Sequence, residues 1–208
     1  MRSFPEKLQK NCDEYSKNYF KELNKVQKKI NISKISDAAN FLIKSYKNKK
    51  YVFICGNGGS ASVSNHLVCD HLKGISQDTS IKPRVISLSS NIETITAISN
   101  DLSYEEVFVY QLSRLANKGD CLITISSSGN SKNIIKAIDW ANKNSIKTIS
   151  LNGFSGGKAG KTSNISINVP SRNYGIIEDS HQVIMHIIAQ YSRMKHLNKN
   201  LKIKNINF

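Results

Sequence analysis

Two short stretches carry the residue types that binding a small anion requires. In the first, the apolar run Tyr51 to Cys55 stops at Gly56-Asn57-Gly58-Gly59-Ser60, and the segment after it carries His66, Asp70 and His71 at helical spacing. This pattern predicts strand, tight turn, helix. Glycines let the backbone take positive φ and approach a ligand closely. Ser60 is placed to cap a helix whose first amide N–H groups have no internal partner, an end that attracts anions. In the second stretch, a strand ends in Ser126-Ser127-Ser128-Gly129-Asn130-Ser131, and Asn133 to Ile138 follow with helical spacing. Hydroxyls and helix-start amides there suit phosphate oxygens without a lysine. Neither stretch matches Gly-x-x-x-x-Gly-Lys-Ser/Thr, and the third glycine of the dinucleotide fingerprint is missing. A small phosphorylated compound is the expected ligand. One Gly-rich turn is often only a turn; two such loops at neighbouring strand ends make a sugar-phosphate cradle.

His66 and Asp70, four apart, share one helix face and suit either a shared metal or a helix-surface hydrogen bond. In the last helix Glu178 and His186 differ by eight positions, about 80° around the axis. Asp179 lies seven before His186 and nearly eclipses it, so spacing alone prefers Asp179. His71 and His181 are read as hydrogen-bonded or surface residues, and Cys69 as a packed thiol.

The elements that must position these groups are legible in the periodicity. Helical stripes run over residues 4–30, with apolar side chains at Leu8, Tyr15, Tyr19, Leu23, Val26 and Ile30, and over 36–47. Both precede the first strand, so they are expected as a separate layer and a subunit contact. From residue 50 strands are predicted at 51–55, 84–88, 120–126, 147–151 and 165–169. Helices are predicted at 60–73, 91–99, 104–116, 131–144 and 177–195. Runs such as Cys121 to Ile125 and Ile146 to Leu151 are short and β-branched, as strands covered on both faces require. The expected fold is α/β, a doubly wound, mainly parallel sheet flanked by helices, with ligands at the carboxyl ends of strands. The organisation read from this is N-terminal helices over 1–48, a sheet domain over 49–196 and a fraying tail over 197–208.

Composition narrows the class further. The 208 residues fit one domain with a full core. No apolar run reaches the roughly 18 residues of a membrane span, and the start has no apolar signal region. The four cysteines form no Cys-x-x-Cys pair, which fits reduced, mostly buried thiols in a cytoplasmic protein. The net charge of +15, from 30 Lys and Arg against 15 Asp and Glu, is mostly lysine scattered through both ends. It lies in no nucleic-acid-binding motif, so it reads as a solvated surface that also draws in anionic metabolites. Neither a nucleic acid nor a membrane is an expected partner.

Gly56-Asn57-Gly58-Gly59-Ser60, Ser99-Asn100-Asp101, Ser126-Ser127-Ser128-Gly129-Asn130-Ser131 and Gly156-Gly157-Lys158 occur in the order and spacing of sugar isomerase (SIS) domain proteins. Over roughly residues 35–195 the chain resembles the phosphoheptose isomerase family, which interconverts sedoheptulose 7-phosphate and D-glycero-D-manno-heptose 7-phosphate. The resemblance implies a homotetramer with active sites lined by more than one subunit. By position, Asn57, Gly58, Gly59, Asn100, Asp101, Ser126, Ser127, Ser128 and Ser131 would contact the sugar phosphate, together with Ser60 and Glu178. One zinc ion per subunit would fall on His66, Asp70, Glu178 and His186. The product would feed nucleotide-heptose and surface polysaccharide biosynthesis, in lipopolysaccharide or capsule.

Two of the four ligands depart from the family pattern, which usually has Glu at position 70 and Gln at 178. Asp70 is one methylene shorter, and Glu178 adds negative charge; both keep oxygen ligands suited to zinc. Aldose–ketose isomerisation through a cis-enediol needs a base, an acid and stabilisation of the developing oxyanion. Asp70 is assigned as base, His186 as acid and zinc as Lewis acid. The competing reading is a non-catalytic SIS-domain sugar-phosphate sensor or protein-partner adaptor, a class that tends to lack the ligand set.

Overall fold

The computed structural model describes residues 4–201 and 203–208. Five parallel strands form one sheet: β1 (Tyr51–Gly56), β2 (Arg84–Ser87), β3 (Cys121–Ser126), β4 (Lys147–Asn152) and β5 (Ile165–Asn168), in the order β2-β1-β3-β4-β5. The strand order reverses between β1 and β3, so the loops leaving their carboxyl ends flank a crevice there. Side chains alternate across the sheet. Val52 and Ile54 enter the core on one face, and Phe53 and Cys55 enter the core on the other.

The first face is covered by α1 (Cys12–Gln27), α2 (Ile32–Lys47), α3 (Gly59–Cys69) and α8 (Tyr174–Lys195). The second is covered by α4 (Ile92–Asp101), α5 (Val107–Leu115), α6 (Lys132–Lys143) and α7 (Gly157–Thr162). The N-terminal helices are therefore no separate layer. Ile35, Ala38, Ala39, Leu42 and Tyr46 of α2 lie fully in the first core, and α1 is tied to α8 where the Tyr19 hydroxyl donates to Asp179 Oδ2 at 2.6 Å. The helix expected from residue 4 begins only at Cys12, where Asn11 accepts from Glu14 N, and Leu8 is 99% exposed. The α2 helix starts at Ile32 rather than residue 36, because the Asn31 side chain accepts from Ser33 N.

Three further elements differ from expectation. The segment after α3 is a π-helical turn, Asp70–Ile75. A 3-10 turn, Tyr104–Glu106, precedes α5, and the Gly-rich run from Gly156 starts the short helix α7 (Gly157–Thr162). All four cysteines are free, but Cys12 and Cys69 are exposed, so only Cys55 and Cys121 are the packed thiols expected. The stretch expected to fray returns onto the body. Asn198 N donates to Asp78 O, and Arg193 Nη1 donates to Asn207 O while its guanidinium lies over the Phe208 ring. Among the described residues no helix is long and apolar enough to cross a membrane.

Candidate active site

Pairing of Cys55 with Thr124 and Gly56 with Ile125 sets β1 beside β3, so the Gly-rich turn and the serine loop face each other across the crevice. Gly58 takes φ +53 where the chain turns into α3, a conformation L side chains rarely adopt. The two loops and the start of α8 enclose a cup of about 210 Å³ lined by Asn57, Ser60, Ser126, Ser127, Ser128, Ser131, Tyr174 and Glu178. The Ser127 hydroxyl is buried with no hydrogen bond from the described residues, and Ser131, at the start of α6, makes no side-chain cap bond. An unsatisfied buried hydroxyl beside an uncapped helix start is an arrangement that an oxyanion completes.

The loop's shape depends on its backing. Gly129 has φ +65, and a Cβ there would lie 2.1 Å from Gly156 O. Ala159 N donates to Gly129 O, and Lys158 N donates to Asn130 Oδ1. The start of α7 therefore braces the serine loop from behind.

A second group forms where α3 and its π turn meet α8. His66 Nε2 lies 3.1 Å from His186 Nε2 and 3.3 Å from Asp70 Oδ1, and His186 Nε2 lies 3.5 Å from Asp70 Oδ2. Asp70 Oδ2 is buried without a hydrogen-bond partner. Two imidazole nitrogens turned toward each other and an orphaned carboxylate oxygen could hold a divalent metal ion. The position of Asp70 is fixed through its neighbour. His71 is fully buried, its Nδ1 bonds the Tyr46 hydroxyl, and burial pushes its pKa down to about 3, so the ring is neutral. Asp70 and His186 border a cavity of about 290 Å³ with Gly74, Ala189, Gln190, Arg193 and Phe208.

The structure brings together three of the four expected ligands. Glu178 sits eight residues before His186 on α8, about 12 Å along the axis and 80° around it. Its carboxylate packs instead on Gly59, where a Cβ would meet Oε2 at 2.5 Å. The first residue of α3 is thus faced by the chain's own carboxylate, which suits a helix N-terminus. Asp179, which spacing preferred, is engaged by Tyr19. Gly58 and Gly59 are exposed at the turn beside the cup. Asn100 and Asp101 end α4, exposed and bonded to each other at 2.9 Å, and do not line the cup. Cys69 is outside the metal-ligand trio, and His181 is buried with Nε2 on Asn152 O.

Three neighbours of these sites were not among the expected site residues. Tyr174 lines the cup, Tyr104 reaches Asn57, and Gln182 Nε2 stands 2.9 Å from His186 Nε2. Gln182 alone was recoverable, since it lies one helical turn before His186.

The same architecture recurs in known proteins. The SIS domain family matches residues 14–153. A phosphoheptose isomerase of Helicobacter pylori is 38% identical over 173 residues, which cover 80% of this chain and 86% of that protein. A probable phosphoheptose isomerase of Thermoplasma volcanium is 33% identical over 171 residues, with 82% and 87% covered. The solved phosphoheptose isomerase of Neisseria gonorrhoeae superposes with a TM-score of 0.82 at 27% identity, covering 88% of this chain and all of that one. With the crevice, the serine loop and these relatives in agreement, the chain belongs to the SIS domain family, among the phosphoheptose isomerases.

Proposed function

We propose that the protein is an aldose–ketose isomerase that converts sedoheptulose 7-phosphate to D-glycero-D-manno-heptose 7-phosphate. Its relatives carry the phosphoheptose isomerase name. The observation that carries the reading is the convergence of His66, Asp70 and His186 from α3, the π turn that continues it, and α8; α3 and α8 are the two helices bordering the serine cup. A sensor or adaptor of the same fold would have no use for an orphaned carboxylate between two imidazoles.

The phosphate belongs to Ser126, Ser127, Ser128, Ser131 and the start of α6, since Glu178 already faces the start of α3. The backbone at Gly58 and Gly59 and the Ser60 hydroxyl border the sugar chain. Glu178 is assigned to the substrate: its carboxylate accepts hydrogen bonds from sugar hydroxyls. Ser60 and His66 lie six residues apart on α3, about 9 Å along the axis. Phosphate and carbonyl are at opposite ends of an extended seven-carbon sugar, and that separation suits a long chain. Asn100 and Asp101, exposed in one chain, would reach substrate only where a neighbouring subunit completes the site.

His66, Asp70 and His186 would hold one zinc ion per subunit, which when bound polarises the carbonyl. The chain's own groups move the protons. An Asp70 carboxylate oxygen takes the proton from C1 of the ketose while His186 delivers one to O2 from the ring nitrogen that does not hold the metal, giving the cis-enediol. Return of a proton to C2 and loss of one from O1 completes the aldose, with no net change in protons. Phosphate binding at a non-reacting end holds C1 and C2 in place.

A homotetramer follows from the same reading. Val183, Ile187, Tyr191 and Met194 form an exposed apolar stripe along α8, suited to burial against another copy. Cytoplasmic nucleotide-heptose and surface polysaccharide synthesis is the setting proposed for the product. Incubation with sedoheptulose 7-phosphate, with and without a chelator, followed by NMR, tests the whole reading. Aldose formation that the chelator suppresses is expected. No aldose in either sample sinks the function, and full activity in chelator sinks the zinc.

A further inference from the structure

We propose that Tyr104 is a positioning residue for this isomerase, acting through the side-chain amide of Asn57. The proposal rests on the isomerase reading above, in which Asn57 faces the sugar phosphate.

An asparagine amide has two N–H donors and two acceptor lone pairs. Three of these four are occupied in this structure. Asn57 Oδ1 accepts from the Tyr104 hydroxyl at 2.8 Å and from Asn133 Nδ2 at 3.0 Å. Asn57 Nδ2 donates to Asn133 Oδ1 at 3.0 Å. The polarity of the pair is set from its far end, because Asn133 Oδ1 also accepts from Ile134 N at 2.9 Å and Asn133 is buried. With both lone pairs of Oδ1 filled, Asn57 presents to the cup a single N–H and no acceptor. A lone N–H donor recognises an oxygen with a free lone pair, such as a sugar hydroxyl or a phosphate oxygen, and discriminates against a donor-only group.

Burial does not explain the tyrosine. Its side chain is 54% exposed, and it stands on a turn of three residues. That turn is braced instead by charge. Glu105 pairs with Lys132 at 2.9 Å and with Lys136 at 3.1 Å, and Glu106 pairs with Lys136 at 2.7 Å. The hydrogen bond from Lys132, then that from Lys136, holds the Glu105 carboxyl below its ordinary pKa. Lys132 and Lys136 belong to α6, whose start follows the serine loop. The 104–106 turn is thereby a strut, fixed to the phosphate loop's helix by ion pairs and to the Gly-rich turn by one hydroxyl. Loss of the hydroxyl frees a lone pair on Asn57 and loosens the spacing between the two loops.

The test is a double-mutant cycle on kcat/KM for sedoheptulose 7-phosphate. Tyr104→Phe is expected to lower kcat/KM about tenfold, the scale of one positioned hydrogen bond, with an unchanged melting temperature. In an Asn57→Ala background the same substitution is expected to cost nothing further. A full second loss in that background overturns the role, because the tyrosine would then act without Asn57. If Asn57→Ala does not fold, the side-chain 15N resonance of Asn57 in Tyr104→Phe decides. Exchange broadening supports the role, and an unchanged resonance overturns it. Absence of wild-type turnover overturns the isomerase reading and this role together, whereas wild-type turnover with additive losses removes the tyrosine's role alone.

Discussion

Asp70 stands between two imidazoles with one buried oxygen lacking a partner, and His186 touches His66, Asp70 and Gln182 through a single nitrogen. Neither residue contributes to a core, so removing either side chain should remove chemistry and leave the fold. Asp70→Ala and His186→Ala are each expected to lower kcat by about 10³-fold or more, within reach of general acid–base effects combined with lost metal. Circular dichroism and sugar-phosphate binding by calorimetry should be near wild type. Near-normal turnover in either variant removes the assignment. Asp70 was legible because His66 and Asp70, at a spacing of four, share a helix face, whereas His186 came only from the family resemblance. It misplaced Glu178 because a family register says nothing of where a side chain turns. An eight-residue separation along a straight helix carries Glu178 a full two turns away from His186, toward the cup.

At the scale of elements, periodicity found every strand, because buried parallel strands are short continuous apolar runs. It failed where backbone hydrogen bonds rather than apolar spacing decide. The π turn at Asp70–Ile75 breaks the 3.6-residue repeat, and α7 is rich in glycine and lysine with only Ala159 fully buried. The helix α7 nevertheless has a task, which is to back the serine loop. Gly129 and Gly157 meet so closely that Cβ atoms built on them would lie 2.1 Å and 2.6 Å from opposing backbone oxygens. Gly129→Ala must therefore adopt a strained positive φ and push two loops apart. It is expected to destabilise the protein by about 2 kcal/mol or more, since left-handed strain and overpacking each cost about 1–3 kcal/mol. It should also raise KM for the sugar phosphate. Chemical denaturation beside steady-state kinetics checks both, and an alanine variant of unchanged stability would show that the loops are not in contact.

For the molecule as a whole, two buried histidines bear on acid stability, and one exposed helix face bears on the proposed assembly. Burial pushes the His181 pKa down to about 4, against a smaller opposing effect of its bond to Asn152 O. Between about pH 6.5 and 4 the unfolded chain binds a proton there that the folded chain refuses, so stability is whole above that window and falls as pH drops through it. His71, lowered further by burial, adds in the same direction. Denaturation at pH 7.5 and 5 should show this loss, and His181→Gln should flatten the slope by about one proton. The assembly prediction starts from what burial leaves over. The inner face of α8 packs Ile177, Ile184, Met185 and Ile188 into the core, while Val183, Ile187, Tyr191 and Met194 remain 37–47% exposed at spacings of four, four and three. A helix apolar on both sides is covered on both sides, and the second cover is proposed to be another copy. Ile187→Glu puts a charge in the middle of that stripe, outside the core of its own subunit. Light scattering after size exclusion should show the wild type as a tetramer and Ile187→Glu as smaller species that retain the wild-type circular dichroism spectrum. Turnover should fall with the assembly, because Asn100 and Asp101 lie outside the cup of their own chain. A fully active monomer would show that one subunit holds the complete site.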